Sequence, residues 1–191
     1  MSGSKEAFRE RLAQLGKIYI DGVEQSIRRP KNSVEQKSCY SGKKKAHTVK
    51  ALVVSGPDKK IEGLTDAYVG SSHDFSMFKD EKLGDDLPSK TPVYVDTGFE
   101  GIFGEAPQAN IRKPKKKKKG RKLNGGEMLG NRMISKERVK VEHSIGGLKK
   151  FRIASDKFRG INFSNTEVFK VTSGLWNLQV EKRSTTHGAR V

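Results

Sequence analysis

Cysteine is nearly absent: Cys39 is the only one in 191 residues. An intramolecular disulfide framework and a cysteine-based zinc cluster are both excluded, and Cys39 reads as an ordinary reduced thiol. No run approaches the roughly 18 continuous apolar residues of a membrane span. The opening MSGSKEAFRERLAQLGK also lacks the apolar stretch of a signal peptide. The expectation is an intracellular, cytoplasmic chain with no membrane partner, associated with the nucleoid if the source is bacterial. Acids are scarce beside bases, 22 against 39, which leaves a net charge of +17. With 33% apolar residues the chain can bury a core, and its length suits one domain. Its pI near 10.0 is too high for an ordinary metabolic enzyme, so a polyanion is the expected partner.

Phe8, Leu12 and Leu15 at helical spacing predict a short amphipathic lead-in helix within residues 1–16. Lys17-Ile18-Tyr19-Ile20-Asp21 is a strand with an acid at its end and Gly22 close behind. Pro92-Val93-Tyr94-Val95-Asp96 followed by Thr97-Gly98 repeats that pattern. Between them lie a basic irregular connection (25–45) and a hairpin of His47–Val54 with Lys60–Leu64. A helix follows that carries Phe75, Phe78 and Leu83, with Ser71 or Ser72 as its cap. Residues 112–122, Arg-Lys-Pro then five lysines then Gly-Arg-Lys, self-repel and are expected to stay extended until an anion neutralises them. Met133–Lys150 and a segment capped by Ser164 or Asn165 read as two late helices, with Gly146-Gly147 a weak spot in the first. Phe169 and Trp176 on the second are expected in the core.

On the first late helix, Arg138, Glu142 and Lys149 fall at i, i+4 and i+11, one stripe beside the apolar face. One acid thus sits between two bases. If Asp21 and Asp96 end neighbouring strands and this helix crosses those ends, three carboxylates converge. Like charges that close repel unless cations neutralise them. An oxygen-only donor set favours Mg²⁺ or Mn²⁺ over zinc. Two such ions can activate a water or 3′-hydroxyl and stabilise the leaving oxygen in phosphodiester displacement.

Five stretches in this order carry a family resemblance: Asp21-Gly22-Val23-Glu24 with Arg29-Pro30-Lys31, Tyr40 to Thr48, Gly70-Ser71-Ser72-His73-Asp74, Asp96 to Gly101, and Arg138 to Lys149. Over residues 17–180 the chain resembles the DDE transposases, among them the Harbinger-like and bacterial insertion-sequence enzymes known as DDE superfamily endonucleases. The resemblance implies an α/β, ribonuclease H-like domain, a mixed five-stranded sheet flanked by helices, with 181–191 a C-terminal tail. It implies that Asp21, Asp96 and Glu142 are catalytic and hold the metal. Arg138 and Lys149 would orient Glu142 or contact DNA, and His73 and Asp74 would support the pocket, although Asp74 is equally well read as a partner of a helix dipole. His143 is expected to face solvent.

Lys43, Lys44 and Lys45, with Lys115, Lys116, Lys117, Lys118 and Lys119, are expected to grip DNA phosphates without reading sequence. The implied substrates are transposon ends and target DNA, bound by a homo-oligomer. There are departures: Val23 stands where the family often has Thr, and Ser135 where a Tyr often precedes the Arg. Only about twenty residues precede Asp21, where full-length relatives carry a helix-turn-helix, so the expectation includes a separate upstream DNA-binding polypeptide. The alternatives at this point are an inactive DNA-binding remnant and a basic RNA-associated protein. In the latter Asp21, Asp96 and Glu142 would have no role.

Overall fold

The alternation of apolar residues along two long strands sets the architecture. In β1 (Ile18–Ser26), Ile18 and Ile20 point to one face, Tyr19 and Val23 to the other, and all four are fully buried. In β3 (Ala46–Ser55), Leu52 and Val54 share the first face, Ala51 and Val53 the second. A sheet buried on both sides needs helices on both sides. The structure, a computed structural model, describes residues 5–117, 120–160 and 164–188.

β1 pairs antiparallel with β3 from Tyr19↔Ser55 to Ser26↔Thr48. On its other edge β1 pairs parallel with β6 (Pro92–Tyr94), which pairs parallel with β7 (Asn110–Arg112). With β2 (Tyr40–Ser41) beyond β3, the order is β2-β3-β1-β6-β7. That mixed sheet flanked by helices is the expected ribonuclease H-like arrangement. Two further strands, β4 (Ile61–Leu64) and β5 (Tyr68–Val69), pair with β3 off this five-strand path, which makes seven strands among the described residues.

On the Ile18 face lie α1 (Lys5–Gln14), α3 (Asp74–Asp80) and α4 (Ile102–Glu105), which contribute Leu12, Met77, Phe78 and Ile102 to one core. On the Tyr19 face lie α5 (Gly125–Leu148), α6 (Arg152–Ser155) and α7 (Asn165–Gly188), with Val141, Leu148, Ala154, Val168, Phe169 and Trp176. Phe169 and Trp176 are core residues, as expected. The hairpin expected of His47–Val54 with Lys60–Leu64 is the antiparallel pair β3 and β4.

Several boundaries differ from the sequence reading. Asp21 sits inside β1, not at its end, because Val23 and Gln25 continue the buried face and keep pairing with Ala51 and Val49. The irregular basic connection contains α2 (Ser33–Cys39), whose cap Asn32 accepts from the Val34 and Glu35 amides. α3 begins at Asp74 after His73, not at Ser71 or Ser72. The Ser71 amide donates to the distant Ser38 carbonyl and the Ser72 amide to the Val69 carbonyl in a turn. α5 starts eight residues before Met133, since Asn124 and Glu127 form a reciprocal capping box there. Ser164 caps α7 in the same way with Glu167, and α7 runs on through residue 188.

Gly147 is where α5 and α7 touch. A Cβ there would lie 2.3 Å from the Trp176 ring. Among the described residues no helix is long and apolar enough to cross a membrane.

Candidate active site

The parallel pairing of β1 with β6 covers only Ile18↔Val93 and Tyr19↔Tyr94. Past that point the strands part, and Asp21 on β1 faces Asp96, which follows β6 by two residues. Ligands of open α/β sheets collect at such splits beyond the strand ends. A third carboxylate enters from below: Asp74, the first residue of α3, passes Gly22, where a Cβ would stand 3.2 Å from Asp74 Oδ1. Carboxylate oxygens of Asp21, Asp74 and Asp96 all lie within 4.8 Å of one another.

Each acid is held differently. Asp21 Oδ1 accepts from the Gly22 amide at 2.8 Å, and Oδ2 accepts from Arg138 Nη2 of α5 at 2.8 Å. Asp96 Oδ1 accepts from the Gly98 amide at 2.7 Å. Among the described residues the one ion pair of Asp74 is with Lys50, whose Nζ is 3.9 Å from Oδ1 and donates instead to the Ser72 carbonyl at 3.1 Å. Burial raises the pKa of Asp21; Arg138 and the Gly22 amide oppose that, while Asp96 and Asp74 add to it. Asp74 is raised by burial and by Asp96, against Lys50 and Lys43. Carboxylates pressed together and shielded from water are a poor resting state for anions and a fitting one for a cation. All the converging donors are oxygens, which suits a hard divalent ion.

The residues read from the sequence are placed as follows. Asp21 and Asp96 are together, and Asp74, given a supporting role from the sequence, joins them in contact range. Arg138 reaches Asp21, and its Nε is buried without a hydrogen-bond partner. Glu142 lies one turn further along α5 than Arg138; its side chain is exposed and lines a cleft with Lys59, His143 and Trp176, outside the aspartate group. His73 and His143 are exposed. Half-buried Lys149 has its pKa lowered by burial, then by Lys44 and Lys43, with Glu24 opposing. These three lysines therefore form one positive patch. Lys43, Lys44 and Lys45 are the exposed turn between β2 and β3.

The second lysine run is less free than its charge suggests. Lys115 pairs with Glu127 and Lys116 with Glu100, and Asn131 holds the Lys115 backbone through both its amide and its carbonyl. Lys117 is exposed, and Lys118 and Lys119 lie outside the described residues. Lys113, Lys115, Lys116, Lys117, Arg121 and Lys122 line a cleft of about 690 Å³ that reaches Thr97, next to Asp96.

The sequence reading gave no role to a cluster beside the site. Glu137 accepts from Lys17, Tyr19 and Lys140 at 2.9, 2.7 and 3.0 Å, which pulls its pKa down to about 2. It braces α5 against β1 next to Arg138. Its signal was legible only as an acid with Lys140 three residues on.

The model of the DDE superfamily endonucleases matches residues 20–177. The chain belongs to this family. It is 34% identical over 166 residues to a probable transposase for insertion sequence element IS702 from Microchaete diplosiphon, a match that covers 85% of this chain and 57% of the relative. The chain thus spans less than two thirds of that relative's length. No solved structure matches it. For a DDE superfamily endonuclease, divalent metal use follows at family level, and this chain brings three aspartates together, Asp21, Asp74 and Asp96.

Proposed function

We propose that this chain is a transposase catalytic domain that hydrolyses DNA phosphodiesters and transfers strands, using Asp21, Asp96 and Glu142 with two Mg²⁺ or Mn²⁺ ions. The observation that carries the reading is the convergence of half-buried aspartates from β1, the β6 end and α3 at the strand split. Bound ions would polarise the phosphate and lower the pKa of a water or 3′-hydroxyl.

The remaining work falls to the chain itself. Asp21 and Asp96 are pinned by the Gly22 and Gly98 amides, which fixes their oxygens before any ligand arrives. Arg138 holds Asp21 in place, and Glu142, one turn along the same stripe, is the acid that turns in when DNA is seated. Lys43, Lys44, Lys45 and Lys149 on one side, and the cleft of Lys115, Lys116 and Lys117 beside Thr97 on the other, bracket the site with positive charge. A DNA strand crossing between them places its phosphates over the aspartates. Copies of the chain act together on paired transposon ends. An inactive remnant would have no reason to keep mutually repelling carboxylates assembled in a half-buried split, and that reading is not favoured.

The test is Mg²⁺- or Mn²⁺-dependent nicking of supercoiled plasmid by the purified chain, with Asp96→Asn and Glu142→Gln preparations alongside. Loss of nicking in both variants is expected. Nicking that co-purifies with the chain and persists in both variants would refute the assignment of Asp96 and Glu142.

A further inference from the structure

The three aspartates meet without Glu142, and that division suggests an order of assembly. We propose that Asp74 is a direct ligand of the divalent ion, so that the DNA-free chain takes its first ion on Asp21, Asp74 and Asp96. Glu142 is not needed at that stage and joins only with DNA. The inference rests on the metal-dependent reading above.

Three observations support it. First, Asp74 is the least satisfied of the three acids. Among the described residues no hydrogen bond reaches its carboxylate, and Lys50 stands at 3.9 Å with its ammonium given to Ser72. A carboxylate whose side chain is only 23% exposed normally finds donors. Asp74 finds instead the oxygens of two other acids. Second, the approach depends on Gly22. Asp74 comes from the α3 face of the sheet and Asp21 leans to the α5 face, and they meet because residue 22 carries no side chain between them. Third, the charges do not balance. Among the described residues the only cations within 4 Å of the three carboxylates are Arg138 and Lys50, with Lys43 acting on Asp74 from further off, so the group keeps the sign a cation needs. Glu142 meanwhile is exposed among Lys59, His143 and Trp176.

The experiment titrates Mn²⁺ into the 191-residue chain without DNA, reading free Mn²⁺ by electron paramagnetic resonance. Asp74→Asn is expected to weaken binding at least tenfold, while Glu142→Gln stays within about twofold of the unsubstituted chain. Metal-free thermal melting of each variant checks folding. Should Asp74→Asn fold poorly, Lys50→Met gives an independent readout: removing the cation that stands 3.9 Å from Asp74 is expected to tighten Mn²⁺ binding. Unchanged affinity in Asp74→Asn, unchanged or weaker affinity in Lys50→Met, or a loss in Glu142→Gln equal to that in Asp74→Asn overturns the inference alone. Absence of Mn²⁺ binding by the unsubstituted chain overturns the metal-dependent reading with it.

Discussion

Gly146 and Gly147 are neighbours on α5, yet replacing each by alanine should move stability in opposite directions. At Gly147 a methyl carbon would lie 2.3, 2.3 and 2.4 Å from Cδ2, Cε2 and Cε3 of Trp176, where carbon atoms rest at about 3.5–4.0 Å. The helices must therefore open by more than about 1 Å or the indole must leave. It is not free to leave, because Trp176 Nε1 donates to the Lys59 carbonyl at 2.9 Å and the ring lies under Lys150 and Arg183. Overpacking of this kind costs about 1–3 kcal/mol, and more where the backbone resists. Alanine's helix propensity returns at most about 1 kcal/mol. The expected net loss for Gly147→Ala is about 1–3 kcal/mol. At Gly146 nothing lies within 4 Å of the added carbon, so only propensity acts, and Gly146→Ala should gain up to about 1 kcal/mol. Trp176 is the only tryptophan, so urea unfolding followed by its fluorescence reads this packing directly, with circular dichroism reporting the helices. A Gly147→Ala chain as stable as the original would refute the packing argument. A destabilised Gly146→Ala chain would show that α5 does not continue as a regular helix there. The pair bears on function because the same helix delivers Arg138 to Asp21 and carries Glu142.

Replacing Lys43, Lys44 and Lys45 together by alanine should weaken DNA binding and flatten the plot of log affinity against log salt by about 0.9 for each phosphate left without its lysine; an unchanged slope would remove these lysines from the DNA path. Glu137, with its pKa at about 2 in the folded chain and 4.5 as the ordinary value, adds stability that is present above the ordinary value and is lost as pH falls towards 2. Glu137→Gln should therefore lower the melting temperature at pH 7 and narrow the difference between pH 7 and pH 3, and a variant matching the original at both pH values would contradict this. Truncating the guanidinium in Arg138→Ala deprives Asp21 Oδ2 of its hydrogen-bonded partner. Nicking should fall while plasmid affinity, carried by the lysines, stays close to that of the original chain; full nicking activity in this variant would show that Arg138 does not position Asp21.

Local chemistry made much of this protein legible along the chain. The period-2 runs in β1 and β3 and the cap at Ser164 follow from residue type and spacing, as does the spacing of Arg138 and Glu142 one turn apart on α5. The nearness of Asp21 and Asp96 is an expectation of the family resemblance, since the recurring strand, acid and glycine do not say which strands are neighbours. What tertiary structure decided are the quantities set by distant neighbours. Asp21 lies inside β1 because Ala51 and Val49 of β3 keep the strand paired beyond it. Asp74 reaches the other two acids because α3 packs under a gap left by Gly22, an approach across more than fifty residues of chain that no local pattern encodes. The basic run after Arg112, which self-repulsion alone would leave extended, is tied down by Glu100, Glu127 and Asn131. Gly147, a weak helix position by propensity, is the place where two helices close on a tryptophan. Propensity and periodicity act within a few residues, whereas burial and charge depend on what the fold brings from elsewhere.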